Sequence, residues 1–444
     1  MKTNYKNIII GFGKAGKTLA AFLAKQGETV ALVERSSKMY GGTCINVACI
    51  PTKSLITQSQ QKTPYSEANK VKDKLTSTLR EKNYNKLDGL KNVTIIDGEA
   101  SFISKSELSI KTANGDYKVK AKRIFINTGT APNMPPIKGI DGSRIYNSET
   151  FMELKGIPKH VAIVGGGFIG LEFAGMLLNF GSKVTLIDKS EEFLPKEDRD
   201  IAEAILKTLS EKGLNIVSNA EVSEFVSEKE KVSVHYTSNK KKSIVSADDV
   251  LMATGRAPQT ENLNLKAAGI TTDKRGFIKV NSKLQTSAPN VWALGDVNGG
   301  PQFTYISLDD FRIIKNQLTN GKYNSRAKRK PFATAVFLTP PYARIGLNEM
   351  EAKEKKITYK LFSMPAATIP KAAVLKQKDG LLKALVNESN GKIIGCMLYC
   401  AEAHELINIV KLAMDQGITY DKLRDQIYTH PTMAEAFNEL FQES

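Results

Sequence analysis

Two copies of a strand–glycine loop–helix–strand unit, opening at Gly11 and at Gly165, and a strand-rich stretch after residue 330 predict an α/β protein. The architecture expected is two Rossmann-like dinucleotide-binding domains plus a C-terminal α+β domain. The boundaries drawn are 1–147 with 257–327, then 148–256, then 328–444.

Tyr5 to Ile10 reads as a buried strand running into Gly11-Phe12-Gly13-Lys14-Ala15-Gly16. A helical pattern (Leu19, Phe22, Leu23) follows and ends at Gly27, and the strand Thr29 to Val33 ends in Glu34, 18 residues past the last glycine. Gly11 allows the tight turn, Gly13 lets backbone approach a pyrophosphate, and Gly16 lets helix and strand pack closely. The helix N-terminus attracts phosphate, and Glu34 is suited to accept a hydrogen bond from a ribose hydroxyl. The unit recurs 154 positions later as the strand Val161 to Val164, the loop Gly165, Gly167, Phe168, Gly170, and the helix Leu171 to Asn179. Its second strand, Lys183 to Ile187, ends in Asp188 at the same 18-residue offset. Two such sites imply two dinucleotides, most simply a flavin and a nicotinamide. Asp188 favours a free 2′-hydroxyl, hence NADH, while Lys189 beside it keeps NADPH possible.

Between the units lie a polar, lysine-rich helical stretch and short strands at Val93 to Ile96, Glu107 to Lys111, Lys118 to Ala121 and Arg123 to Asn127. The last is closed by Thr128-Gly129-Thr130. Val250 to Ala253 followed by Thr254-Gly255-Arg256 repeats that ending, and Val291 to Leu294 delivers Asp296 to a strand's carboxyl end, where a ribose or ribitol hydroxyl can be bound. Past a basic linker at 321–330 come strands at Ala333 to Phe337, Tyr359 to Phe362, Leu381 to Val386 and Lys392 to Tyr399, then an amphipathic helix from Ala403 to Gln416.

The chemistry centres on Gly41-Gly42-Thr43-Cys44-Ile45-Asn46-Val47-Ala48-Cys49-Ile50-Pro51-Thr52-Lys53. Cysteines five apart on an unbroken helix are separated by about 7.5 Å along its axis. A disulfide needs Cα atoms roughly 4.4–6.8 Å apart, so the pair closes only if the Cys44 side bends, which Gly41 and Gly42 permit. Pro51 suits a helix's first turn, which puts Cys49 near a helix start, where the dipole favours thiolate. Two buried free cysteines are the alternative that spacing leaves. Near the end, His430 precedes Glu435 by five residues across Pro431, so the carboxylate can orient the imidazole, although a lone histidine is more often structural. Cys396 and Cys400 read as buried strand cysteines, with a second metal site that includes His404 as the sharper alternative.

Composition narrows the class. Hydrophobic content of 41% and charged content of 25% are ordinary for a soluble globular protein. The net charge of +17 is diffuse, and the densest runs, Lys240-Lys241-Lys242 and Arg326 to Lys330, lack interleaved aromatics. They read as solvated surface, with no nucleic-acid partner. The apolar stretch Val161 to Leu178 contains three consecutive glycines and Glu172, which suit strand–turn–helix and not a membrane span. With no secretory signal read at Met1 to Lys6, the expected location is cytoplasmic, where four cysteines point to redox or metal chemistry.

Taken together and in this order, Gly11–Gly16, Gly41–Lys53, Gly165–Gly170, Gly295-Asp296 and His430–Glu435 resemble the class I flavin-dependent pyridine-nucleotide disulfide reductases. The resemblance spans essentially the whole chain. It implies FAD on Gly11, Gly13, Gly16, Glu34, Gly42, Thr43, Lys53, Thr128, Gly129 and Asp296, and NAD(P)H on Gly165, Gly167, Phe168, Gly170, Asp188 and Gly255. It also implies a redox-active Cys44–Cys49 disulfide, with Cys49 facing the flavin and Cys44 meeting the substrate. Lys53 pairs with Glu172, Phe168 gates the nicotinamide pocket, and His430 steered by Glu435 serves Cys44 of the other subunit, so the C-terminal domain forms a homodimer with a shared site. Ala48 departs from the family's usual glycine. Mercuric reductases carry an extra C-terminal cysteine pair that Glu439 to Ser444 lacks, so Hg(II) is not the expected substrate. The runs Gly11–Ala20, Met39–Asn46, Phe303–Asp310 and Arg424–Ile427 are most similar to the reductases that protect bacteria against reactive chlorine species and hypothiocyanous acid (the RclA type). That similarity implies a small oxidant as acceptor. A conventional lipoamide- or glutathione-type disulfide reductase and a Cu(II) or other metal-ion reductase are the alternatives, and no metal site is assigned.

Overall fold

The structure, a computed structural model, describes residues 3–442. Both glycine-loop units form, and the α/β expectation is met. The first is built on a seven-stranded sheet in which Val93–Asp97, Val30–Glu34, Asn4–Ile10 and Gly115–Ile126 run parallel. The two strands expected at 118–121 and 123–127 are one continuous strand, because its register against Asn4–Ile10 carries through from Lys120 to Ile126. Along its length this strand changes partner, from antiparallel Glu107–Thr112 to parallel Val291–Ala293. The helix Lys14–Lys25 buries Leu19, Ala20, Leu23 and Ala24, an i, i+1, i+4, i+5 stripe that faces the sheet.

The second unit is a five-stranded parallel sheet ordered Leu214–Val217, Lys183–Ile187, His160–Val164, Asp249–Met252, Ile145–Asn147. The apolar stretch divides into the strand His160–Val164 and the helix Phe168–Asn179. Among the described residues no helix is long and apolar enough to cross a membrane. An antiparallel trio, Ala220–Ser227, Val232–Ser238 and Lys241–Ala247, was not anticipated from the sequence. Its second hairpin turns at Asn239 and Lys240, both at positive φ, so the Lys240–Lys242 run is an exposed tip.

The C-terminal part is an antiparallel sheet ordered Thr334–Val336, Tyr342–Gly346, Ile393–Tyr399, Leu381–Asn387, Tyr359–Pro365, with the helix Ala403–Gln416 against it. The preceding basic linker is not uniformly solvated. Arg329 bonds Asp309 at 2.7 Å and Asp310 at 2.5 Å, and Arg326 donates to the Val280 carbonyl. One apolar cluster joins all three parts: Leu55 and Ile56 from the first, Val161 and Leu171 from the second, and Val336, Tyr342 and Tyr399 from the third.

Candidate functional site

The first glycine loop is shaped by backbone proximity. Gly11 has φ +101°, and a Cβ there would lie 2.4 Å from the Asn127 carbonyl oxygen. A Cβ on Gly16 would lie 2.6 Å from the Gly11 carbonyl. Gly13, expected to admit a pyrophosphate, also meets protein: a Cβ there would sit 2.4 Å from Asn127 Oδ1, and a Cβ on Gly42 would meet Gly13 Cα at 2.7 Å. Asn127, which sequence reasoning passed over, ties the loop together. Its Oδ1 accepts from Gly16 N–H at 2.9 Å, and its Nδ2 donates to Leu294 O at 2.7 Å. In the second loop Gly165 and Gly170 repeat the close approaches, but nothing lies within 4 Å of a Cβ on Gly167, which leaves that backbone open to a phosphate. The carboxylate of Asp188 lies beside Gly166, and Gly255 turns at φ +98°.

A cavity of about 1200 Å³ gathers most of the expected residues. Gly11, Gly13, Glu34, Gly42, Thr43 and Cys44 line one part; Cys49, Lys53, Thr128, Gly129 and Asp296 line another; Phe168 and Glu172 reach it from the second unit. Gly16, Gly165, Gly167, Gly170, Asp188 and Gly255 are not on its wall, and neither are His430 and Glu435. Glu34 accepts from the Phe12 N–H at 2.9 Å and the Ser36 N–H at 3.2 Å, with burial pushing its carboxyl above the usual range. Asp296 accepts from Thr130 Oγ1 at 3.2 Å and is pushed up in the same way. Thr128 Oγ1 is buried with no partner among the described residues. An orphaned hydroxyl beside an open wall is what a polar ligand would satisfy.

The cysteine segment bends later than expected. Gly41 and Gly42 turn at positive φ, but Cys44 then lies in a single helical turn, Thr43–Asn46. The break falls at Val47 and Ala48, with φ −141° and −139°, before the helix Cys49–Gln60. Ala48, where the family usually has glycine, sits at φ −139° and ψ −103°, outside the left-handed region that calls for glycine. Cys44 and Cys49 lie side by side within hydrogen-bonding reach of each other. Cys49, the first residue of its helix, is pulled below the usual thiol range by a hydrogen bond from Cys44, with the Lys53 ammonium adding to the effect; Cys44, the donor, is pushed up. Thr304 Oγ1, 3.8 Å from Cys49 Sγ, is a further neighbour that no sequence pattern flagged.

One turn along from Cys49, Lys53 Nζ meets Glu172 Oε2 at 2.5 Å and lies 4.7 Å from the centroid of Phe337. Glu172 Oε1 accepts from the Phe337 N–H at 3.0 Å, so one carboxylate joins all three parts of the chain. His430 Nδ1 lies 2.7 Å from Glu435 Oε2, across a cis His430–Pro431 bond. The imidazole side chain is 70% exposed, outside the chain's own cavity. Cys396 and Cys400 are fully buried in apolar core, which pushes Cys400 up to about 12, and the His404 ring lies against Phe337. No group of three or more His, Cys, Asp or Glu side chains able to hold a metal is gathered among the described residues.

Residues 5–310 match the family described as pyridine nucleotide-disulphide oxidoreductase, and residues 332–441 match its dimerisation domain. The chain is 45% identical over 438 residues to the probable pyridine nucleotide-disulfide oxidoreductase RclA of Escherichia coli K12, covering 98% of each. It is 33% identical to a mercuric reductase of Lysinibacillus sphaericus, over 97% of this chain and 81% of that one. Among solved structures, the Cu(II) complex of the HOCl-induced flavoprotein disulfide reductase RclA from Escherichia coli matches with a TM-score of 0.96 and 45% identity, over 99% of each chain.

Proposed function

The chain belongs to the pyridine nucleotide-disulphide oxidoreductase family, and from that premise we propose that it uses the Cys44–Cys49 pair to reduce a small thiol-reactive oxidant, with hypothiocyanous acid foremost. Membership implies FAD and NAD(P)H as cofactors. FAD, when bound, supplies the two-electron relay from NAD(P)H to the thiol pair. The residues fit it: Glu34 and Asp296 offer carboxylates at strand ends, Thr128 an unused hydroxyl, and the helix Lys14–Lys25 a phosphate-attracting N-terminus. We assign FAD to 1–147 with 257–327, NAD(P)H to 148–256 and dimer contacts to 328–444. Asp188 favours NADH over NADPH, and the reading carries a cytoplasmic location.

The observation that carries the proposal is the cysteine pair itself: a thiol held at a helix start, stabilised as thiolate by its neighbour and by Lys53, in one cavity with Gly11 and Asp296. Cys44 attacks the oxidant's sulfur, hydroxide departs, and Cys49 then attacks the Cys44 sulfur and expels thiocyanate. His430, steered by Glu435, is exposed where a second subunit can use it, and removes the Cys44 proton of that partner. The test is an NADH-oxidation panel: rapid turnover with hypothiocyanous acid, and none above background with lipoamide or glutathione disulfide. Equal rates with lipoamide make this a conventional disulfide reductase. The Cu(II) held by the solved RclA structure favours a second reading, copper reduction at the same soft dithiol, which belongs in the same panel.

The cofactor assignment has its own check. Gly11→Ala puts a side chain at φ +101° against the Asn127 carbonyl. Purified Gly11→Ala is expected to be nearly colourless, with flavin absorbance per protein at least tenfold below the parent.

A further inference from the structure

The helix Lys14–Lys25 does more than present its N-terminus. From its first turn Lys17 reaches the redox loop, and its ammonium donates to the Gly41 carbonyl at 3.0 Å. The loop is already held against this helix by the Gly13–Gly42 backbone contact, which fixes the separation. On the far side, Arg80 donates to Asn46 Oδ1 at 2.8 Å, and Asn46 donates to the carbonyls of Tyr40 and Gly42. The loop that carries Cys44 is therefore clamped between two cationic side chains, both of them partly buried.

The charged groups that act on Lys17 are Lys14, Cys44 and Lys86. Burial and the two lysines hold its ammonium down to about 8, whereas the Cys44 thiolate pulls it upward. The same coupling acts in return, since the Lys17 charge opposes the upward push on Cys44. A half-buried lysine whose charge is opposed by two other lysines and favoured by one thiolate is placed to respond to negative charge at that thiol. Lys17 does not line the cavity, so it acts from behind the loop.

We propose that Lys17 is a positioning residue that fixes Cys44 through the Gly41 carbonyl and, by its charge, favours negatively charged acceptors at that thiol over neutral ones. The inference rests on Cys44 being the exchanging thiol. For hypothiocyanous acid, Cys44–S⁻ forms a bond to the oxidant sulfur as S–O breaks, and hydroxide takes up the proton that Cys44 gave up to the imidazole, giving water. Cys49–S⁻ then forms the S–S bond as Cys44–S–SCN releases thiocyanate. The dithiol loses two electrons and the oxidant gains two; the oxygen leaves as water and thiocyanate alone leaves as an anion.

The test needs no oxidant. NADH-reduced holoenzyme is alkylated with iodoacetate or iodoacetamide, and the label is located by peptide mass. In the parent, the iodoacetate-to-iodoacetamide rate ratio at Cys44 should exceed that of glutathione under the same conditions. Lys17→Gln should lower the ratio about fivefold, the scale of one nearby charge's effect in a medium between protein and water, and Lys17→Arg should restore it. A lysine that only braces the loop changes both rates equally and leaves the ratio alone, which overturns the proposal. Lys17→Met keeps the aliphatic stem packed and serves if the glutamine variant does not retain flavin. A parent ratio at or below that of glutathione overturns the proposal without any variant. Labelling at Cys49 in place of Cys44 overturns the exchanging-thiol reading on which it stands.

Discussion

Replacing Cys44 by serine is expected to lower acceptor reduction by roughly a thousandfold or more, the scale at which enzymes lose activity with their nucleophile, while NADH still bleaches the bound flavin. The serine hydroxyl is far too weak an acid to supply a nucleophile at neutral pH, but it still donates a hydrogen bond to Cys49. Cys49 should therefore remain below the ordinary thiol range, because Lys53 and the helix start persist. The thiolate is the deprotonated form, so iodoacetamide labelling of Cys49 in Cys44→Ser should stay fast at pH values where a free thiol has become slow. Steady-state NADH oxidation and the labelling rate against pH measure the two halves separately. Unchanged turnover would remove Cys44 from the mechanism.

The second large effect is on stability. Lys383 is fully buried, and its Nζ meets Asp198 Oδ2 at 3.1 Å, Asp200 Oδ2 at 2.8 Å and Glu349 Oε1 at 2.6 Å. It ties the C-terminal sheet to the start of the helix Arg199–Glu211 in the second unit. Lys383→Ala strands Asp198, itself only 4% exposed, without a cation, while Asp200 at 48% can turn to solvent. Removing one partner of such a buried network costs about 3–5 kcal/mol, to be read as a shift of the denaturant midpoint. Burial pushes the Glu349 carboxyl up, but hydrogen bonds from Lys383 and Tyr359 and the Lys383 charge outweigh it, so the group sits below its usual range. Its contribution is therefore present above the ordinary carboxylate range and lost as pH falls through the lowered value. The gap between parent and Lys383→Ala should narrow in acid.

What the sequence disclosed and what it hid follow from the range over which each signal acts. The glycine loops, the acidic residues ending Val30–Glu34 and following Lys183–Ile187, and Cys49 at a helix start are set by a few neighbours, so spacing and periodicity exposed them. The Lys53–Glu172 contact spans 119 positions and was visible only through resemblance to a family. Asn127, Thr304 and Phe337 matter because of what folding brings beside them, and nothing in their own flanks announces it. Lys383 and Arg329 mislead for a related reason. A lone basic residue is most often solvated, and only the tertiary arrangement of Asp198, Glu349, Asp309 and Asp310 makes burial tolerable. The bend at Val47 and Ala48 escaped because Gly41 and Gly42 offered a nearer explanation.

The apolar cluster that runs from Leu55 through Val161 to Tyr399 has a consequence for anyone dissecting the protein. Its members are contributed by every region, so excising the C-terminal sheet at the basic linker would expose Leu55 and Ile56 on the helix Cys49–Gln60 and Leu171 on the helix Phe168–Asn179. Because this cluster couples the three regions, heat should melt the intact chain in one cooperative step.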